Sequence, residues 1–563
     1  MLKKSAWFFY ILLLTLLAVF TSSFLFFFTI KYDQLISFIL KEINREDLFH
    51  IVTQTYFTEE KFSWIKIGSI VFSAFSGIIL LLAIKIKDKI LFTIYFLESK
   101  LIQKYESLIM TFKTLERNAK VMLAICLFII LTRSFYFANS YYIQYDEAWN
   151  YNYFLAHNPV YTIFAYNNYP LHNLVSSFFL TFLPANTVVL RLPSILIGIF
   201  SCLFVFAIIQ KIWNNSILSL CAMCLFACLP ITVLYMMYAR GVILELFFSW
   251  IIIYFINQFF KSEITFKEIL FLGVLNALGV YSMLSHLYFI VFSFLAILIF
   301  VLMTNTSKWK YAVYYFVVSI LCSSFLIFPF MLGTGISLGT DAAKSSQNLL
   351  TLHILPFHAY SDMMGGVWFI FYLLIGMNVF LLFKEKSKKY LLLVLLNLAL
   401  LLSPLLIYFL SNTFPPERAF AFIAISTIMT FALVIQYFKI TTISLSSMTF
   451  LIVVILSIST YKHNALNWSK EMDKEAYVMF QLFDKNEISN VYNESDNFKY
   501  YVPSLIYYFS LNKKEFHYST NEKSSTRYID NMPSNTQCIV RSALLTDAPL
   551  VYQFDGMYFY FLK

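Results

Sequence analysis

Long apolar runs alternate with short polar ones along most of this chain. A membrane-spanning helix needs about 20 predominantly apolar residues. By that rule about thirteen runs are long enough, at approximately 7–30, 64–86, 121–139, 191–211, 216–239, 241–260, 267–285, 287–304, 311–332, 364–383, 390–410, 419–438 and 443–460. One polar stretch stands apart, residues 141–173, with apolar runs on both sides. Hydrocarbon does not tolerate such a segment, so it is expected at a membrane face or in a protein-lined cavity. It is followed by 174–183, which with 160–166 forms two apolar patches suited to short interfacial helices. Residues 87–120 mix apolar and basic positions at helical spacing and predict an amphipathic helix on the membrane surface.

From about 461 the pattern changes. Charges return, EAYVMFQLFDK at 475–485 has helical periodicity, and short β-type runs follow: ISNVY, TQCIVR, VYQF and MYFYF. About 100 residues suffice for one small α/β domain. The expected fold is therefore an all-α polytopic membrane protein with a small C-terminal α/β domain. The expected divisions are 1–120 (two helices and the amphipathic segment), 121–460 (the main transmembrane module) and 461–563.

Composition agrees. The chain is 60% hydrophobic and 13% charged, with mean hydropathy +0.71; soluble proteins average about 45–50% apolar and about 25% charged. The net charge of +10 does not point to nucleic acid, because the basic residues lie in short, alternate loops. Lys3 and Lys4, the Lys85–Lys120 segment, Lys211, Lys261, Lys267, Lys308, Lys310, Lys384–Lys389 and Lys439 share one parity. The positive-inside rule makes these loops cytoplasmic and turns the stretch at 141–173 and the C-terminal tail outward. The apolar run near the N-terminus is longer than a signal-peptide core of about 7–15 residues and reads as an uncleaved first span. Six of the seven Cys lie in apolar runs and read as small packing residues, the trio Cys221, Cys224 and Cys228 included; Cys538 is alone in the tail.

The chemistry gathers in the polar stretch. Asp146 and Glu147 are adjacent, and the next thirty or so residues hold almost no other charge. A carboxylate can take a proton from an attacking hydroxyl, hold a metal, or be a solvated loop charge. Around the pair stand Tyr145, His157, Asn167, Asn168 and His172, residue types that suit sugar hydroxyls and sugar faces and are also ordinary in loops. Arg240, His286 and Arg418 sit beside later outward turns, where they could meet a leaving phosphate. Arg191 reads as a headgroup-binding arginine at a span start, and Glu245 as the acidic member of a buried structural pair with Arg240 or another cation. No phosphate-binding loop, dinucleotide fingerprint or HExxH motif is present.

The order YDEAWN, NNYPLHNLV, RLPSILIGIFSCLFVFAII, YARGVILELFFSWIIIYF, YSMLSHLYFIVF and PPERAFAFI resembles the GT-C class of membrane glycosyltransferases. The resemblance is to the branch with protein O-mannosyltransferases, aminoarabinose transferases and bacterial polyprenyl-phosphate-sugar transferases. It runs from about 121 to 440 and reaches YVPSLIYYFSL in the tail. It implies an outward-facing site in a bacterial plasma membrane. There Asp146 would be the base on an acceptor hydroxyl, with Glu147 beside it orienting the acceptor or helping to bind a metal. Arg240, His286 and Arg418 would hold the donor's lipid phosphate. Tyr145, Asn167, Asn168 and His172 would contact substrate, and a divalent cation is left open. The chain departs from the pattern in its two extra N-terminal spans, in Asn168-Tyr169-Pro170 where many relatives have His-Pro-Pro, and in a tail without a recognisable β-trefoil.

The resulting expectation is an inverting transferase. It would take a polyprenyl-phosphate-linked sugar and deliver it to a glycan, lipid or protein acceptor. The alternatives are a flippase for lipid-linked glycans and a non-catalytic assembly partner.

Overall fold

The computed structural model describes residues 2–42, 58–156, 169–260, 264–304, 308–334, 369–384, 388–411, 417–467, 471–495, 497–520, 535–541, 552–554 and 557–561. The helices are α1 (Leu2–Thr29), α2 (Tyr32–Glu42), α3 (Glu59–Lys85), α4 (Lys87–Lys113), α5 (Arg117–Ser140), α6 (Tyr145–Asn150, continued by a π turn over Tyr151–Leu155), α7 (Pro170–Phe182), α8 (Thr187–Trp213), α9 (Ser216–Cys228), α10 (Pro230–Met237), α11 (Val242–Phe259), α12 (Phe266–Ser282), α13 (His286–Thr304), α14 (Trp309–Thr334), α15 (Phe369–Lys384), α16 (Lys388–Ser411), α17 (Ile423–Phe438), α18 (Thr442–Asn467), α19 (Glu471–Lys485) and α20 (Val502–Leu511).

Each of the thirteen apolar runs meets a helix; residues 364–368 of the run at 364–383 lie outside the described residues. Among the described residues seven helices are long and apolar enough to cross a membrane, or eight with the bent pair α9–α10 taken as one span. The count of thirteen is thus one of apolar helical runs. Several, such as α12, α15 and α17, are shorter than a full crossing. The helices make this an integral membrane protein.

The run 216–239, expected as one span, is broken. Asn215 caps α9 by accepting from the Ile217 and Leu218 N–H groups. Pro230 then ends it. Proline lacks an N–H and pushes the preceding residue out of the α region, and Leu229 lies at φ −59°, ψ 132°. The two helices meet at 66°. The break leaves carbonyls at the α9 C-terminus without helical partners, and Arg133 of α5 fills the gap. Its Nη2 donates to the Ala227 carbonyl at 2.7 Å. A cation at a helix C-terminus is also favoured by the helix dipole. That explains how an arginine is accommodated in an otherwise apolar span.

Of the helix expected at 87–120, residues 87–113 form α4, and Arg117–Lys120 open α5 instead. Lys267, at the start of α12, sits over the rings of Phe92 (4.2 Å) and Phe96 (4.5 Å) on α4. Both elements were assigned to the same membrane face from charge, and they meet at one end of the bundle.

All seven Cys are free thiols. Cys126 on α5 and Cys224 on α9 approach to 3.7 Å between sulfurs. Copper–phenanthroline oxidation should therefore join these two helices. A protease cut between them should release separate fragments only after reduction, and Cys126→Ser should remove the link. Fragments that separate without reductant would contradict this packing.

The C-terminal domain is a five-stranded sheet with two helices. Its strands are β1 (Asn490–Asn493), β2 (His517–Thr520), β3 (Cys538–Arg541), β4 (Tyr552–Phe554) and β5 (Met557–Phe561), in the order β2-β1-β3-β5-β4. β1 pairs in parallel with β2 and β3, while β5 runs antiparallel to both β3 and β4. The parallel β1–β2 pair requires a crossover, and YVPSLIYYFSL supplies it as α20. The core of this domain is not closed on itself. Phe483, Val491, Phe498, Leu505, Tyr507 and Phe559 form one buried cluster with Ile143, Ala148, Leu155, Leu190 and Ala239 of the membrane body. The small domain is thereby seated on the polar stretch.

Candidate active site

Gln144 begins α6 with a capping box, in which Glu147 reaches back to accept the Gln144 N–H at 3.1 Å. Successive helical side chains point about 100° apart, so the two adjacent carboxylates face different surroundings.

Glu147 points inward and is buried. Arg191 of α8 grips it with two bonds, Nε to Oε1 at 3.0 Å and Nη2 to Oε2 at 2.6 Å. The Ala239 N–H donates to Oε1 at 2.7 Å. The remaining Arg191 donors go to the carbonyls of Ala138 (2.8 Å), Tyr141 (2.9 Å) and Tyr142 (2.9 Å). The guanidinium thus uses all five of its N–H groups. Burial by itself would raise the Glu147 carboxyl; the Arg191 charge and the hydrogen bonds outweigh it and hold the group below its usual range. Arg191, expected to meet lipid headgroups, is instead completely buried. RLPS at a span start gave no sign of this, because the partner lies 44 residues earlier.

Asp146 points outward. Its Oδ2 pairs with Arg240 Nη2 at 2.6 Å, and its side chain is 38% exposed. Arg240 also donates to Gln144 Oε1 at 3.3 Å. Arg240, a candidate neutraliser of Glu245 from the sequence, instead pairs with Asp146. Its loop is pressed close: a Cβ on Gly241 would stand 2.1 Å from the Ser282 carbonyl oxygen and 3.1 Å from the Tyr169 ring. Glycine is therefore required there by the approach of backbone to backbone. Ala239 on Glu147 and Arg240 on Asp146 form a matched pair of contacts, so the buried pair sets the position of the exposed one.

Asp146 and Arg240 line a cavity of about 480 Å³ together with Gln144, Tyr145, Asp473, Tyr500 and Ser504. The last three belong to the C-terminal domain, which closes over the loop. Asn152 Nδ2 donates to the Pro503 carbonyl at 2.7 Å, the Ile143 N–H to Tyr508 Oη at 3.3 Å, and Thr187 and Tyr507 share a 3.1 Å hydroxyl contact. Sequence reading placed no site residue in the tail. One signal was present: Asp473 shares the helical stripe of Ala476 and Phe480, the buried face of α19.

The other expected residues are distributed differently. His172 is fully buried, with Nε2 2.9 Å from Ser194 Oγ and Nδ1 3.3 Å from Ser176 Oγ. It does not line the cavity; it ties α7 to α8. The neighbouring Asn150 and Asn173 exchange two amide bonds of 2.6 and 2.8 Å. His286, expected at the donor phosphate, is fully buried between α11, α12 and α13. It contacts Asn276 Oδ1 (3.3 Å), Ser249 Oγ (3.4 Å) and Glu245 Oε1 (3.8 Å). His157, Asn167 and Asn168 lie outside the described residues, as does the apolar patch at 160–166. Arg418 lies in a 3-10 turn, Glu417–Phe420. No group of three or more His, Cys, Asp or Glu side chains gathers among the described residues.

Burial pushes His172 down to about 4 from 6.5, so it is neutral at neutral pH. An unfolded chain would protonate this ring more readily than the folded one does. Its contribution to stability is complete above about 6.5 and lost as pH falls from there toward 4. Thermal unfolding in detergent should weaken across that window, and His172→Gln should flatten the loss. A melting temperature level from pH 7 to 4.5 in the wild type would contradict this.

The elements thus define a class: an integral membrane protein with an acid–base cavity roofed by a small α/β domain. The sequence matches no protein-family model and no curated protein. Among solved structures it is similar to Archaeoglobus fulgidus oligosaccharyltransferase in complex with Zn and sulfate, at 13% identity and a TM-score of 0.43, over 75% of this chain and 67% of that one. It is similar also to that enzyme tethered through a disulfide to an acceptor peptide containing the NVT sequon, at 11% identity and a TM-score of 0.43, over 72% of this chain and 64% of that one.

Proposed function

We propose that this protein is a membrane glycosyltransferase, working on the extracytoplasmic face of a bacterial plasma membrane with a polyprenyl-phosphate-linked sugar as donor. The observation that carries the reading is the pairing of Asp146 and Arg240 in one cavity between the membrane body and the C-terminal domain. The motif resemblance along 121–440 supports it.

In this proposal the acceptor hydroxyl approaches Asp146. Its oxygen attacks the anomeric carbon, the bond from that carbon to the phosphate oxygen breaks, and Asp146 takes the hydroxyl proton. Inversion follows from the single displacement. In a single displacement the base and the leaving phosphate lie on opposite faces of the sugar, so Arg240 parts from Asp146 in the complex and supplies charge and N–H donors to the departing phosphate. Glu147 is given a positioning role through Arg191 and Ala239, because both its oxygens are engaged within the fold. No step is assigned to His172, His286 or a cation.

The test is sugar transfer from a panel of labelled polyprenyl-phosphate sugars, with the protein in nanodiscs and cell-envelope extract as acceptor. Transfer by wild type supports the proposal. Translocation of the labelled lipid across the discs without sugar release would replace it with the flippase reading.

A further inference from the structure

The described residues that line the cavity are polar or aromatic. Gln144, Asp146, Arg240, Asp473 and Ser504 all hydrogen-bond, and the other two lining residues are tyrosines. Among the described lining residues none is aliphatic. Tyr145 and Tyr500 face one another across the junction of membrane body and C-terminal domain, with ring centroids 6.4 Å apart and planes inclined by 59°. They are 38% and 49% exposed, whereas the residues flanking Tyr500 are anchors: Phe498 and Tyr501 are 0% and 1% exposed. Tyr500 thus stands on a fixed 3-10 turn (Phe498–Tyr500) with its ring left outward.

Two partly exposed rings beside carboxylate, amide and hydroxyl groups form a surface complementary to a carbohydrate. A sugar offers C–H faces to aromatic rings and a circle of hydroxyls to the polar groups. We infer that the acceptor is a carbohydrate, laid against the exposed faces of the touching Tyr145 and Tyr500 rings, with Asp473 and Gln144 binding its hydroxyls and presenting one of them to Asp146. Calling it the acceptor rests on the transferase reading; the sugar site itself does not.

The experiment is saturation-transfer NMR on the full chain in nanodiscs without donor. The probes are short oligomers of glucose, galactose, mannose and N-acetylglucosamine, with short Ser/Thr peptides run in parallel. At least one oligosaccharide should receive saturation on its ring protons. Tyr500→Ala should weaken that binding by about tenfold or more, the scale of losing an aromatic anchor. Tyr500→Phe, which keeps the ring, should retain it, and Asp473→Asn should weaken it. Thermal unfolding of each variant separates lost binding from lost fold. Binding of peptides but no oligosaccharide, binding of nothing in the panel, or oligosaccharide binding unaffected by Tyr500→Ala in a folded protein would each overturn the inference. Oligosaccharide binding by a protein that transfers no sugar from any donor would leave the sugar site standing and remove the transferase reading. Transfer without oligosaccharide binding would do the reverse.

Discussion

Glu147→Ala is expected to destabilise the protein by about 3–5 kcal/mol, the usual cost of removing one partner of a buried ion pair. The loss is severe because Arg191 remains. Its guanidinium has no exposure and would be left with three carbonyls and no counter-charge. The Ala239 and Gln144 N–H groups would also lose their acceptor, and a buried orphan donor costs about 1–3 kcal/mol. These costs overlap and do not simply add. Against a typical total stability of about 5–15 kcal/mol they suffice to deplete the folded form. Arg191→Met combined with Glu147→Met should cost less than the sum of the two single changes, because the stranded charge is gone. Thermal unfolding and the yield of monodisperse protein in detergent measure both effects. A Glu147→Ala protein that melts with the wild type would show that the pair does not hold the loop. The effect has a pH signature as well. The carboxyl is held low in the fold, so the stabilisation is present above the unfolded-state value of 4.5 and is lost as pH falls through the folded one.

Asp146→Asn should give the opposite result. Its side chain is 38% exposed, and although Arg240 is only 11% exposed, that guanidinium also donates to Gln144 Oε1, so the loss should be well below that of Glu147→Ala. An amide of the same shape can still accept from Arg240. The fold should stand, with a smaller loss of melting temperature than Glu147→Ala shows, while transfer falls by about 10²–10⁴-fold, the usual contribution of a general base. Turnover of labelled donor by purified variants measures this. An Asp146→Asn protein with near-wild-type turnover would remove Asp146 from the chemistry. The two substitutions together form a sharp test: adjacent carboxylates, one lost to folding and one to catalysis.

Much of the architecture is legible in the residues themselves. Apolar runs of the right length gave the helices, because a chain in hydrocarbon must satisfy its backbone internally. The β-type runs after 488 gave β1, β3, β4 and β5; His517–Thr520 was missed, since HYST carries little strand pattern. Pro230 was read through as part of one long apolar run, although its missing N–H is the reason the run bends. The DE pair was legible as an isolated charge among apolar flanks.

What the sequence could determine, then, was whatever depends on neighbours along the chain: helix length, capping, the polar stretch and its acidic pair. Tertiary structure alone decided which carboxylate is buried and which faces the cavity. Glu147 meets Arg191 across 44 residues and Ala239 across 92. Asp473, Tyr500 and Ser504 reach the cavity from more than 300 residues beyond Asp146. Charge, amide and ring acquire their roles from desolvation and from partners in space, and neither is a property of a residue's neighbours in sequence.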